Sequence, residues 1–232
     1  MKYPALAGCV LLLAIAGCSR WPGEPRPGAE VPRPDAVTSF NALYSQSCAG
    51  CHGDHGANGA ALDLANPVYQ AWVDDASMRQ IIANGEPGTQ MPAFAKSAGG
   101  FLTDAQVDVL VHGMRARWQK PDALNGQTPP PYTATLKGDT IRGQQVYQTA
   151  CARCHQKPSE NITAPEYLAL VNDRSLRALI IAGRPDIGQP DWRGYIPGHA
   201  LTDQEVTDVV AYLASRRSPT PGQPYPHPDY PH

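Results

Sequence analysis

One pentapeptide pattern occurs twice in this chain, as Cys48-Ala49-Gly50-Cys51-His52 and as Cys151-Ala152-Arg153-Cys154-His155. Cys-x-x-Cys-His is the pattern of covalent c-type haem attachment. Two thiols a helical turn apart can each form a thioether to a porphyrin vinyl group. The histidine that follows then lies under the ring, where it can bind the iron. Cys48, Cys51, Cys151 and Cys154 are therefore the candidate attachment residues, and His52 and His155 the candidate proximal ligands. Zinc is the chief competitor, but it needs four converging ligands, and each separated Cys pair here already brings its own histidine. A thioredoxin-like dithiol has no use for that histidine.

Two such motifs far apart in 232 residues favour two domains. A domain of about 80 residues has a small core, so a large apolar cofactor would supply much of its interior. The net charge of −2 carries no basic signature for nucleic acid. The first half is mildly acidic and the second balanced. The two remaining cysteines, Cys9 and Cys18, lie at the N-terminus, so no pair is left for a disulfide framework.

Lys2 precedes an uncharged apolar run from Ala5 to Ala16, which is too short to span a bilayer. The run ends in Ile15-Ala16-Gly17-Cys18, which resembles a bacterial lipobox. Residues 1–17 then read as a signal peptide and Cys18 as the lipidated first residue of the mature chain. Cleavage at Cys9 would leave almost no apolar segment ahead of it, and a transmembrane anchor is the alternative to lipidation. More than one acyl chain suffices for stable anchoring. Export fits the chemistry, because c-type haem is attached outside the bacterial cytoplasm. Ser19 implies the outer membrane if the cell has one.

Residues 18–36 are proline-rich and without apolar periodicity, an extended tether at about 3 Å per residue. Residues 119–138, with a proline-rich stretch from Gln127 to Tyr132, read as a linker, and 218–232 as a Pro/His-rich tail. His227 and His232 in that tail could bind a metal, but the composition favours a segment without a packed core. Each repeat reads as three helical segments. The first runs into the motif, over Ser39 to Ser47 and Asp139 to Ala150. The second covers Asp74 to Ala83 and Asp173 to Ala182, each stopped by a glycine, Gly85 or Gly183. The third opens on a capping box, Thr103-Asp104-Ala105-Gln106 or Thr202-Asp203-Gln204-Glu205. Apolar stripes follow at helical spacing: Val107, Leu110, Val111 and Met114, then Val206, Val209, Val210 and Leu213. Strand alternation is absent, and the fold class is all-α.

With these features in place the chain resembles class I cytochromes c, twice in tandem, over residues 37–118 and 139–217. The first copy carries Cys48, Cys51, His52 and Gly53, then Met91-Pro92-Ala93-Phe94 and Leu102-Thr103-Asp104. The second carries Cys151, Cys154, His155, Leu201-Thr202-Asp203 and Tyr212. The resemblance implies that first and last helices cross closely, a glycine on one against an aromatic on the other. Gly143 and Tyr212 fit. Register places Phe40 and Gly113 at the equivalent positions of the first copy, so the large and small partners are exchanged there, which conserves volume.

The sixth iron ligand is expected to differ between the copies. Met91, in the loop before the last helix, is a soft thioether suited to the iron, and Met/His ligation raises the potential. Met78 falls at an apolar helix position and reads as core. The second copy has no methionine after its motif, and Gln189 aligns with Met91. Three readings stay open there: His199 makes a bis-histidine haem, Gln189 binds through its amide oxygen, or the iron is open. Any of them leaves the second haem at the lower potential. Arg153, Arg174 and Arg184 read as exposed surface charge, with pairing to propionates of the second haem as the alternative.

The sequence offers no acid/base constellation and no nucleotide-binding loop. The expectation is a membrane-anchored dihaem cytochrome passing single electrons between redox partner proteins. Small-molecule chemistry at the methionine-free haem, or service as a subunit of a respiratory or dehydrogenase complex, are the alternatives. Donor, acceptor and oligomeric state are not legible.

Overall fold

Side-chain caps set where the helices begin. In the computed structural model, which describes residues 31–157 and 160–218, Ser39 opens α1 (Phe40–Ser47) and leads into the short α2 (Ala49–His52). Asn66 caps α3 (Pro67–Trp72), accepting from Val68 N and Tyr69 N, with Pro67 at the first helical position. Asp74 caps α4 (Asp75–Asn84), and the full Thr103/Gln106 capping box opens α5 (Asp104–Trp118). The second repeat follows the same order: α6 (Thr140–Val146), α7 (Ala152–His155), α8 (Pro165–Leu168), α9 (Asp173–Ala182) and α10 (Asp203–Ala214), opened by the Thr202/Glu205 box. Gly85 and Gly183 end α4 and α9 at φ of 71°, a left-handed conformation that glycine adopts without a Cβ penalty. The described residues contain no strand, only isolated bridges.

Two features depart from the sequence expectation. The short helices α3 and α8 were not anticipated, although Asn-Pro at 66–67 is a helix-start signal. The helix entering the second motif is not α-helical throughout: Tyr147–Cys151 is a π-helical turn. That turn brings the Tyr147 ring to 5.4 Å from the ring of Tyr212 on α10.

Within each repeat the first helix crosses the last, α1 on α5 and α6 on α10. The predicted stripes of α5 and α10 are all buried, as are Leu43, Tyr44, Ile82, Leu176 and Ile181. Met78 is buried in this core, as expected.

The two repeats are not separate beads. Helix α3 of the first lies on α9 of the second, and described residues from Val37 onward belong to one compact unit. The linker is a strap on both. Trp72 Nε1 donates to Pro130 O (2.9 Å) and its ring meets Tyr132 edge-on, while Arg177 Nε donates to Pro131 O (2.8 Å). Arg193 donates to Leu124 O and Ala123 O.

Among the described residues no helix is long and apolar enough to cross a membrane. The leader, Cys9, Cys18 and Ser19, most of the tether, and the tail with His227 and His232 lie outside the described residues.

Candidate haem sites

At the first motif, α1 delivers Cys48 and the single turn of α2 carries Cys51 and His52. Tyr44, one turn earlier, is buried and its hydroxyl donates to Gly53 O (2.9 Å), closing the turn after the histidine. The polar loop that follows folds back on the motif: Ala61 N donates to Cys51 O (2.9 Å), and His52 Nδ1 bonds Leu62 O at 2.7 Å. A carbonyl only accepts, so Nδ1 carries the proton and Nε2 keeps its lone pair. Burial first, and further the charge of Arg184, hold His52 below the ordinary histidine range against the opposing Leu62 bond. A neutral imidazole oriented through its second nitrogen is the form that binds a metal.

The second motif repeats these hydrogen bonds. His155 Nδ1 bonds Glu160 O at 2.8 Å, and the Tyr147 hydroxyl points to His155 O at 3.4 Å. Both tyrosines stand four residues before a motif, a recurrence that would have marked them in the sequence.

Burial, and secondarily the neighbouring Cys51 or Cys154, push the Cys48 and Cys151 thiols up to about 12. All four motif cysteines are free of disulfides. Two thiols, one free Nε2 and a small apolar domain around them fit a covalently held haem at each motif. When bound, that group supplies a reversible one-electron change at its iron.

On the distal side, the backbone places Met91 and Gln189 at equivalent points. Glu86 N, one residue past the Gly85 cap, donates to Met91 O at 3.0 Å, and Arg184 N, one past Gly183, donates to Gln189 O at 3.0 Å. Met91 is part-buried against the core, with its N–H held by Thr89 Oγ1. The Gln189 amide is fixed: Nε2 donates to Leu179 O (2.9 Å) and to the buried Tyr195 hydroxyl (2.8 Å), which in turn donates to Ile180 O (3.1 Å). Leu179 O must face a donor, so Oε1 is the amide atom these bonds leave unused. His199 is exposed, and its Nε2 lies 2.9 Å from both carboxylate oxygens of Glu205, the capping-box residue of α10.

Two of the three arginines read as surface charge have other work. Arg184 is buried, paired with Asp186 at 2.7 Å, and donates to Gly59 O of the first repeat (2.9 Å). Arg174 pairs with Glu86 of the first repeat. Both belong to the junction between repeats, because each loop that carries a distal residue also packs on the other repeat. Asn66, almost fully buried, completes the junction through Nδ2, which donates to Ala182 O (2.8 Å) and Gly183 O (3.2 Å). Arg153 is exposed as expected.

The family model for cytochrome c oxidase, cbb3-type, subunit III matches residues 35–112, and that for cytochrome c matches residues 141–217. The dihydro-heme d1 dehydrogenase of Pseudomonas aeruginosa is 32% identical over 142 residues, 59% of this chain. The matched segment spans only 24% of that enzyme. A chain of the reducing HAO-like protein complex of Kuenenia stuttgartiensis aligns over 81% of this chain and all of its own, at 17% identity and a TM-score of 0.45. With both family models falling on the two all-helical repeats and their motifs, the chain belongs to the cytochromes c, as two cytochrome c domains in tandem that carry two covalently bound c-type haems.

Proposed function

We propose that this dihaem cytochrome is a single-electron relay, anchored to the membrane through a lipidated Cys18 and facing the periplasm or exterior. Cytochrome c domains transfer electrons through haem; the finer reading is the direction. It is carried by one observation, the placement of Met91 and Gln189 at equivalent points of two parallel loops. Met91 is the sixth ligand of the first haem, which gives that site the higher potential. At the second, the Gln189 amide oxygen would be a weak ligand, and no described residue is assigned there as a strong donor. His199 is left out of this assignment because its Nε2 is engaged with Glu205. Electrons then arrive at the second haem and leave through the first. The partners are redox proteins. The likeness to a segment of a much longer dehydrogenase supports service beside a dehydrogenase.

Absorption, paramagnetic resonance and redox titration of wild type beside Met91→Ala and Gln189→Met test the assignment. Met91→Ala lowers the higher potential and removes the methionine–iron charge-transfer band. Gln189→Met raises the lower one. Two equal, high potentials in the wild type would sink the reading. Incorporation of labelled fatty acid, lost in Cys18→Ala, tests the anchor.

The methionine-free second site favours one other reading, small-molecule chemistry at that haem. Cyanide or carbon monoxide binding at one haem of two, with high-spin iron, would support it. Low-spin iron at both, unchanged by those ligands, would leave the relay.

A further inference from the structure

We propose that Arg184, a residue of the second repeat, is a positioning residue for the iron site of the first. Paired with Asp186, it clamps the segment that orients His52 and balances the charge buried against it.

The clamp is a closed set of contacts. Arg184 Nε and Nη2 donate to the two carboxylate oxygens of Asp186 at 2.9 and 2.7 Å, a bidentate pair. The two side chains are 8% and 5% exposed. Each also holds one backbone group of the first repeat: Arg184 Nη2 donates to Gly59 O (2.9 Å), and Asp186 Oδ2 accepts from Asn58 N (2.8 Å). The pair thus grips two successive residues of the other repeat.

Those residues rest on the haem motif itself. A Cβ on Gly59 would lie 2.2 Å from Cys51 O and 2.6 Å from the carbonyl carbon of His52, so this backbone touches the motif backbone directly. Two residues on, Ala61 N bonds Cys51 O, and Leu62 O holds the His52 ring. A shift of 58–59 is therefore passed to the carbonyl that fixes the ligand ring.

The arrangement is one-sided. Glu86 occupies the position in the first repeat that Arg184 occupies in the second, but it pairs with Asn172 and Arg174 at the start of α9. Among the described residues, the first site alone thus has a charge of the other repeat at its proximal loop from this position. An oxidised haem carries one more positive charge than a reduced one, so removing the positive half of this neutral pair favours the oxidised form and lowers the potential, and removing the negative half raises it. Docking of the second repeat then sets the driving force at the first. This holds whatever the sixth ligand is.

Redox titration of the full-length holoprotein tests it, on Arg184→Gln, Arg184→Lys and Asp186→Asn. The first haem is marked by Cys51→Ala, which leaves it a single thioether and a shifted absorption band; Cys154→Ala marks the other haem should that label fail to mature. Arg184→Gln lowers the first-haem potential, Asp186→Asn raises it, and Arg184→Lys keeps most of the wild-type value. A merely structural role would make Gln and Lys equivalent, or would move Asp186→Asn in the same direction as Arg184→Gln. Either result overturns the proposal, as does a first-haem potential unmoved by all three. Asp186→Asn keeps size and acceptor, so it remains informative if the arginine variants fail to fold.

Discussion

The Phe40 ring lies directly on Gly113: a methyl group placed on that glycine would come within 2.0 Å of Phe40 Cδ2. In the second repeat the glycine sits on the other helix, and a Cβ on Gly143 would meet Asp208 O at 1.9 Å and Tyr212 Cβ at 2.9 Å. The aromatic and the glycine have changed helices, and the crossing keeps its close approach.

The two glycines should not be equally sensitive. Phe40 is held by Tyr44 at 5.4 Å, Trp118 at 5.9 Å and the Arg117 guanidinium at 4.1 Å, but it is a side chain and can give. The α10 backbone opposite Gly143 can yield only by moving the helix. Gly113→Ala should cost about 1–3 kcal/mol, the ordinary range for overpacking, and Gly143→Ala more. Denaturant unfolding of the two variants, with Gly113→Ala partly rescued by Phe40→Leu, checks the order.

Asn66 separates capping from docking. Its Oδ1 caps α3 while its Nδ2 reaches Ala182 O and Gly183 O across the junction. Asn66→Ala loses the cap, about 1 kcal/mol, and leaves buried carbonyls without their donor, roughly 1–3 kcal/mol more. Aspartate caps as well as asparagine but presents only oxygen. Asn66→Asp should therefore destabilise at least as much as Asn66→Ala in thermal unfolding. Recovery by aspartate would mean that the cap alone matters.

His199→Ala should leave the spectrum and potential of the second haem unchanged. The His199–Glu205 pair has half-exposed partners, 45% and 29%. Its loss should cost below about 1 kcal/mol. A shift of the second-haem band in this variant would restore the bis-histidine reading.

Acid should loosen the junction through Asp186. The Arg184 guanidinium holds that carboxyl below the usual carboxylate range. A depressed folded value means that the unfolded chain binds the proton first, so ionised Asp186 stabilises the fold fully above its unfolded value of about 3.9. That contribution is lost as pH falls through the lower folded value. Urea unfolding of wild type and Asp186→Asn should show the widest gap near about pH 6 and a narrowing one below about pH 4. A gap constant over that range would count against the ion pair.

What could be read along the chain was local. Two Cys-x-x-Cys-His motifs, two capping boxes and the glycines after α4 and α9 each depend on residues a few positions apart, so spacing alone carries them. The Phe40/Gly113 exchange was legible too, because register from a motif and from a cap fixes both helices that cross. Helix α3 was missed although Asn66-Pro67 announces it. The tyrosines at 44 and 147 were missed although they recur at one offset.

The sequence by itself determined that two haems are attached, and that a methionine stands in the distal loop of one repeat while a glutamine stands in the other. Only the tertiary structure decided what lies between the two sites. Arg184 and Arg174 look like surface charges in a linear reading, because their partners, Gly59 and Glu86, are far away along the chain. Burial and pairing are properties of the docked repeats, and no local pattern encodes them. The same holds for His199: its spacing permits a ligand, and the fold turns it to Glu205. Hydrogen bonds across the junction are directional, so they are decided by where two backbones meet.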